Sequence, residues 1–328
     1  MKNTKIKLLF AVIFAYSLMA IHAQEEEKKS PLTLSITTDT AYYPKSDFKA
    51  GRRKTHFAPI TSAFDSIEFC TTFTAEYQIG TPLGEHWLLS DANVVLSGGC
   101  ELSPVSICPQ LSVGFQPLPF FAVKGGGSVG LGWNYSDFEG LCKLDKEKKK
   151  YESLSPFNHP YYDFWGEATL MFDTGELIPG DWNHVVMLAS FKALYSGIAG
   201  IERHDIFEWQ CTKNKVAGAQ YEVTGLLAYQ MPLILSMTGI MYTAEGHFYG
   251  TDYGEFNKNY CGDFITHTIA PVLQFDVTEK DELFCMFAFS TRRNFETEPK
   301  EVEDEIFMKK IGSEWYFYRF ALSWTHIF

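Results

Sequence analysis

Beyond residue 23 the chain has no run of about 18 apolar residues, which excludes a helical membrane span from that stretch. It is also short of positive charge, with 28 Lys and Arg against 40 Asp and Glu. Lys2, Lys5 and Lys7 fall in the first 23 residues, which carry no acid. Without that segment the balance is 25 against 40, or −15. Phosphate recognition needs clustered Lys and Arg, so nucleic acid is not an expected partner. The seven cysteines (Cys70, Cys100, Cys108, Cys142, Cys211, Cys261 and Cys285) form no CxxC pair and no metal-ligand spacing. Their odd number leaves at least one thiol unpaired within the chain. Nine histidines include neither HExxH nor HxH, and nothing in the sequence calls for a metal or a cofactor.

Aromatic residues are abundant, at 16%, with 28 Phe and 17 Tyr, while mean hydropathy is only −0.11. Many rings without overall hydrophobicity fit strands that are apolar on one face only. The N-terminus reads as a secretory signal peptide over residues 1–23. It has a lysine-bearing start, an apolar core "LLFAVIFAYSLMAI" (8–21), and Ala23 ahead of a cut before Gln24. Residues 24–328 are then the exported domain. Export makes disulfides possible, and Cys142, Cys211 and Cys261 fall in three successive long connections where one loop-to-loop bridge could form.

From residue 32 onward, alternating runs recur. Candidate strands span 32–43, 67–79, 86–98, 105–116, 119–134, 161–174, 184–199, 219–229, 232–248, 263–276, 282–296 and 308–328, about twelve in all. Many reach the roughly 9–11 residues a tilted strand needs to cross a bilayer. Their connections alternate between tight turns, such as "QPLP" (116–119) and "YQMP" (229–232), and longer polar pieces, such as 135–160 and 201–218. Short turns on one side and longer loops on the other, with an even strand number, is the plan of an antiparallel up-and-down transmembrane β-barrel. Pro109 and Pro271 lie inside strands of a sheet without free edges, so a bulge or shifted boundary is expected at each.

The last strand is the most specific. In "WYFYRFALSWTHIF" (315–328), Tyr316, Tyr318, Phe320, Leu322, Trp324, His326 and Phe328 share one face by parity, and Arg319, Ser323 and Thr325 share the other. With the signal peptide and the alternation of loops, this ending resembles outer-membrane β-barrel proteins of double-membrane bacteria. The resemblance implies outer-membrane lipid as surroundings and the barrel-assembly machinery as a partner. That machinery would read Phe320, Leu322, Trp324 and the terminal Phe328, with His326 departing from the usual apolar residue. It implies an architecture and no particular solute.

Charges inside such a wall should face the lumen, because Arg or Lys toward lipid costs about 2–4 kcal/mol at the midplane. By parity the lumen takes Glu68, Glu76, Asp91, Lys124, Asp163, Glu167, Lys192, Glu222, Arg292 and Arg319, with Asp173 and Asp276. They would either pair across a narrow interior or line a wet pore whose acidic excess favours cations. A narrow porin-like channel for small polar or cationic solutes is therefore the leading expectation. A non-conducting surface barrel whose loops bind a partner is the second, an outer-membrane hydrolase the third, and a secreted β-sandwich the fourth. "GGGSVG" (125–130) satisfies GxGxxG formally but lies inside an alternating run, where it would leave lumen room for an opposing side chain or plug. His267 has the parity and height for a rim hydrolase and His247 lies near the same rim, but no serine stands at a defensible spacing. Both read as interfacial histidines.

Overall fold

The computed structural model describes residues 30–81, 92–136, 138–297 and 304–328. The signal segment 1–23, Asp91 and most of the turn 80–86 lie outside the described residues. Among the described residues seventeen strands occur: β1 (Leu32–Lys45), β2 (His56–Ala58), β3 (Ser62–Gly80), β4 (Asn93–Ser103), β5 (Ser106–Leu118), β6 (Phe121–Gly132), β7 (Leu141–Asp145), β8 (Lys150–Ser153), β9 (Tyr161–Asp173), β10 (His184–Ile198), β11 (Ile206–Trp209), β12 (Thr212–Val216), β13 (Gly218–Gln230), β14 (Leu235–His247), β15 (Thr266–Asp276), β16 (Asp281–Phe295) and β17 (Lys310–Ile327).

Twelve of these form a closed antiparallel barrel in the order β1-β3-β4-β5-β6-β9-β10-β13-β14-β15-β16-β17. It closes where β17 meets β1, from Ser35 opposite Ile327 to Tyr42 opposite Phe320. Closure gives the ladder groups of the first and last strands to each other. That is what lets a sheet sit in hydrocarbon, where an open edge would leave backbone groups unpaired. The outer face carries the apolar residues: Phe69, Phe73 and Tyr77 on β3, Leu111 on β5, Phe164 and Leu170 on β9, Ile240 on β14. Leu111 is 73% exposed, a cost in water and none in lipid. Trp182, Trp324 and Phe328 stand exposed at the end with the short turns, and Phe248 and Tyr249 at the other, where amphipathic rings belong.

Three expectations are corrected. The parity of β17 does not run unbroken: Ala288 lies opposite Arg319 and Phe289 opposite Phe317, so Tyr318 is an extra residue. This bulge turns both Tyr318 and Arg319 into the barrel and swings Tyr316 inward. Tyr316 and Tyr318 therefore do not share the outer face with Phe320, Leu322 and Trp324. At the prolines no bulge forms. The β5–β6 ladder drops its pairs at Cys108 and Pro109 and resumes in the same register, and β15–β16 does the same at Ala270 and Pro271. A missing N–H is met by omitting a rung rather than by adding a residue. All seven cysteines are free thiols, so no bridge joins the loops.

The long connections are not plain loops. Those at 133–160 and 199–217 contribute a second sheet, β12-β11-β7-β8, and β2 lies parallel to β17. Phe48, Ile206, Val216, Tyr253, Phe295 and Ile306 pack together there as a small apolar core of their own. The loop end of the barrel is thus capped by a folded layer.

Candidate functional site: the lumen and its cap

Inside the barrel the register sets charges of opposite sign side by side. Lys124 on β6 lies opposite Glu167 on β9, Glu167 opposite Lys192 on β10, and Lys192 opposite Glu222 on β13. Glu222 in turn faces Glu245 on β14. Directly opposed side chains are about 5 Å apart at Cβ, close enough for each to feel the next. The result is a row across five strands. The Lys192 ammonium also sits 4.6 Å over the Trp165 ring. Next to the row, Ser128 donates to Asp163 at 2.7 Å, and the Glu76 carboxylate acts on Lys124.

A second group lies at the closure of the barrel. Arg319 is 1% exposed; its Nη1 donates to the Tyr43 hydroxyl oxygen at 3.1 Å and stands 4.0 Å from Glu68. The Tyr43 hydroxyl donates to Glu68 Oε2. The bulge at Tyr318 is what aims Arg319 here. Asp39 and Glu101, buried on β1 and β4, join the group; neither was read as lumen-lining from the sequence.

Arg292 faces inward but is no pore charge. At the loop end it donates from Nε to Glu314 at 2.7 Å and from Nη1 to the Ser46 carbonyl at 2.8 Å, between the Phe48 and Tyr316 rings. His56 Nε2 stands 2.9 Å from Glu314 Oε2, so this cluster draws the β1–β3 connection onto β17. Asp173 and Asp276 sit at the turn end, with Asp173 capping the 174–176 turn and pairing His184 at 2.8 Å, and Asp276 accepting from Ser236. Phe320, Leu322, Trp324 and Phe328 lie along the outer face, and Trp324 Nε1 and His326 Nδ1 both meet Asp281. Asp91 is outside the described residues.

The other side of the lumen is apolar. Met237, Met241, Ala270, Val272, Met286 and Ala288 form one buried cluster with Leu188, Leu226 and Tyr318. This explains why 232–248 is apolar on both faces: one faces lipid and the other fills the barrel. The sequence already departs from clean alternation at 232–248, and its apolar residues on the inner face join this cluster.

The glycines of β6 receive the cap. Trp209 of β11 stacks on Tyr161 at 4.5 Å, and its indole occupies the space where side chains at Gly130 and Gly132 would project. The β11–β12 turn holds Gln210 at φ 49° and Cys211 at φ 58°, a conformation that costs non-glycine residues. Gln210 offsets that by donating to Glu101 at 2.7 Å and Ser106 at 2.8 Å inside the barrel. Deeper in the cap, burial and then the hydrogen bond shared with Glu139 push the Glu208 carboxyl up to about 9. Donor atoms of Glu139, Cys142 and Glu208 lie within 4.8 Å of one another. The Lys213 ammonium, 3.4 Å from Glu139, supplies positive charge at that place. His267 is on the outer wall, its ring bonded to the Tyr242 hydroxyl at 2.8 Å, and His247 lies 3.6 Å from Asp252. Both rings are thus engaged by Tyr and Asp.

No protein-family description and no curated protein matches the chain. Among solved structures it is similar to an outer-membrane channel from Pseudomonas putida F1, with 11% identity and a TM-score of 0.43 over 92% of this chain and 97% of that one. The NanC porin gives 8% identity and a TM-score of 0.39 over 89% and 98%. The KdgM porin gives 9% and 0.35 over 90% and 99%.

Proposed function

We propose that the chain is a narrow porin-like channel or uptake protein of the bacterial outer membrane for small polar or cationic solutes. The observation that carries this reading is the row Lys124–Glu167–Lys192–Glu222–Glu245. Fixed charges that alternate from Lys124 to Glu222 and end on two adjacent carboxylates offer a polar solute successive weak partners, and the carboxylate excess favours cations. The apolar cluster fills the opposite side, which keeps the path narrow. The reading includes export by residues 1–23, surrounding outer-membrane lipid, and insertion by the barrel-assembly machinery on Phe320, Leu322, Trp324 and Phe328. It assigns no enzymatic step.

The test is a planar-bilayer recording of the full mature chain, refolded and checked by heat-modifiable migration on a detergent gel. Expected are small unit conductance and a reversal potential of cationic sign in a KCl gradient, weakened in Glu222→Gln. A folded barrel that stays silent removes the channel. The second reading, a non-conducting surface barrel, draws on the packed cap with its own apolar core around Ile206, Tyr253 and Phe295. Silence together with an intact cap favours it.

A further inference from the structure

The wall is not equally tall all round. β3 pairs with β1 as far as Ser62 opposite Lys45, but with β4 only from Thr71 to Gly80. The cause is the tight β4–β5 connection, which turns between Ser103 and Ser106, their hydroxyls 2.7 Å apart. Among the described residues, no strand pairs with positions 62–70 of β3 on that flank. The wall has a notch there.

A cavity of about 200 Å³ occupies the notch, and its lining comes from both faces of the wall. Ile67 and Phe69 belong to the outer apolar face, each about half exposed, and Phe138 stands across from them. Those apolar side chains set the notch within the outward-facing apolar band. A strand edge at that depth is tolerated only where it is covered or lines a cavity. The inner end is acidic. Asp39 is 3% exposed, lines the cavity, and its Oδ1 has no hydrogen-bond partner among the described residues. Glu101 and Glu68 lie beside it, with Arg319 as the one cation of the lining.

An apolar slot open toward lipid, ending on a buried carboxylate whose Oδ2 takes Cys70 Sγ at 3.9 Å while its Oδ1 has no partner, fits one kind of molecule. We propose that this notch is a side entrance that binds a membrane-dissolved amphiphile with a protonated amine head. The head lies against Asp39, and the alkyl chain passes between Phe69 and Phe138 into the bilayer. The charge excess of three carboxylates over one guanidinium selects a cationic head over an anionic one. The folded layer covers the loop end of the barrel, and the notch offers a separate approach through the wall beside it. The proposal holds whether or not the lumen conducts.

The test uses the full mature chain in phosphatidylcholine nanodiscs, with dodecylamine carrying a diazirine on its chain as probe. Saturable photolabelling is expected on the peptides that contain Phe69 and Phe138. Dodecylamine should compete about tenfold better than dodecanol or dodecanoate, a factor worth about 1.4 kcal/mol. Asp39→Asn should remove most of the saturable part. Labelling that rises linearly with probe and spreads evenly over the outer strands overturns the entrance, and equal competition by the alcohol overturns the amine head. If Asp39→Asn does not fold, the wild-type competition series decides alone. Conductance of the same preparation is read separately. A silent barrel with saturable labelling defeats the channel and keeps the entrance, and a conducting barrel without saturation does the reverse.

Discussion

The two walls of the lumen share one backbone plan and are filled in opposite ways. On β6, β9 and β10 the inward positions hold Lys124, Asp163, Glu167 and Lys192, each set against a partner of opposite charge or a hydroxyl. On β14, β15 and β16 the equivalent positions hold Met241, Val272 and Met286, and Val272 has no exposed surface. Strand alternation therefore separates inside from outside without saying what the inside is. The apolar wall gains by burial and dispersion among flexible thioethers and small alanines, which fit an irregular space. The polar wall gains only where each charge keeps a partner, because an uncompensated ion in low dielectric is far more costly than a missing methyl group. The first should tolerate changes of charge poorly and changes of shape moderately. The second should tolerate loss of one member of a charge pair worst, because the other is left stranded, and should accept changes of shape that keep each pair.

The sharpest way to break this contrast is at the seam where β17 meets β1. Arg319→Met leaves Glu68 without its cation and should cost about 3–5 kcal/mol. Urea titration in detergent micelles, followed by tryptophan fluorescence, measures it. Arg319→Met combined with Glu68→Gln should recover much of the loss, since the second change removes the stranded charge. A single-variant loss below about 1 kcal/mol would mean that this end does not depend on its ions.

One step smaller, Met286→Ala on the apolar wall should cost about 2–4 kcal/mol through lost burial and a cavity, with the cation preference of the conductance unchanged. Glu222→Gln is its mirror: the reversal potential moves, and the stability loss is the smaller of the two. If Met286→Ala shifts selectivity as much as Glu222→Gln does, the permeating path touches both walls.

How far this was legible depended on whether the period of two stayed intact. β9 was expected at 161–174 and spans Tyr161–Asp173, because Tyr162, Phe164 and Leu170 alternate cleanly with Asp163 and Glu167. β17 was legible in extent and misread in phase. A bulge adds one residue, and only the cross-strand partners Ala288 and Phe289 reveal where. The cap was missed because β11 is short and its apolar residues lie on both faces; "IFEW" looks like loop until Trp209 is seen over Gly130. Glu68, Lys124, Glu167, Lys192 and Glu222 could be assigned a face by counting. Asp39 sits among threonines, and Glu101 lay in a stretch read as a connection. Their grouping with Arg319 needs the closed barrel, which joins positions nearly 300 apart in the chain.

The cap offers a weaker contrast with the barrel beneath it. A Cβ at Gly130 would stand 2.4 Å from the Trp209 ring, so Gly130→Leu should expel that indole while leaving both ladders of β6 intact. Barrel stability should change by less than about 1 kcal/mol, since the outward side chains and pairing are untouched. The readouts are faster proteolysis within residues 199–217 and larger unit conductance. An intact cap with falling barrel stability would mean that β6 itself had yielded.

The effect most narrowly confined is a pH dependence of the cap. Glu208 ionises near 4.5 when hydrated, and its buried position on β11 raises this to about 9, through burial first and then the hydrogen bond with Glu139. Between those values the folded cap holds a proton that the opened cap releases. The opened state therefore binds fewer protons, and cap stability must fall as pH rises. The stabilisation is complete below about 4.5, declines across the interval, and reaches its floor above about 9. Residues 199–217 should accordingly be cut faster by a protease at pH 9 than at pH 6, once the enzyme's own pH response is subtracted using an unfolded peptide of the same stretch. Glu208→Gln keeps the shape and a hydrogen-bonding amide and has nothing to ionise, so its cap should show a much flatter response. An equal slope in wild type and variant would place the titrating group outside Glu208 and overturn this assignment.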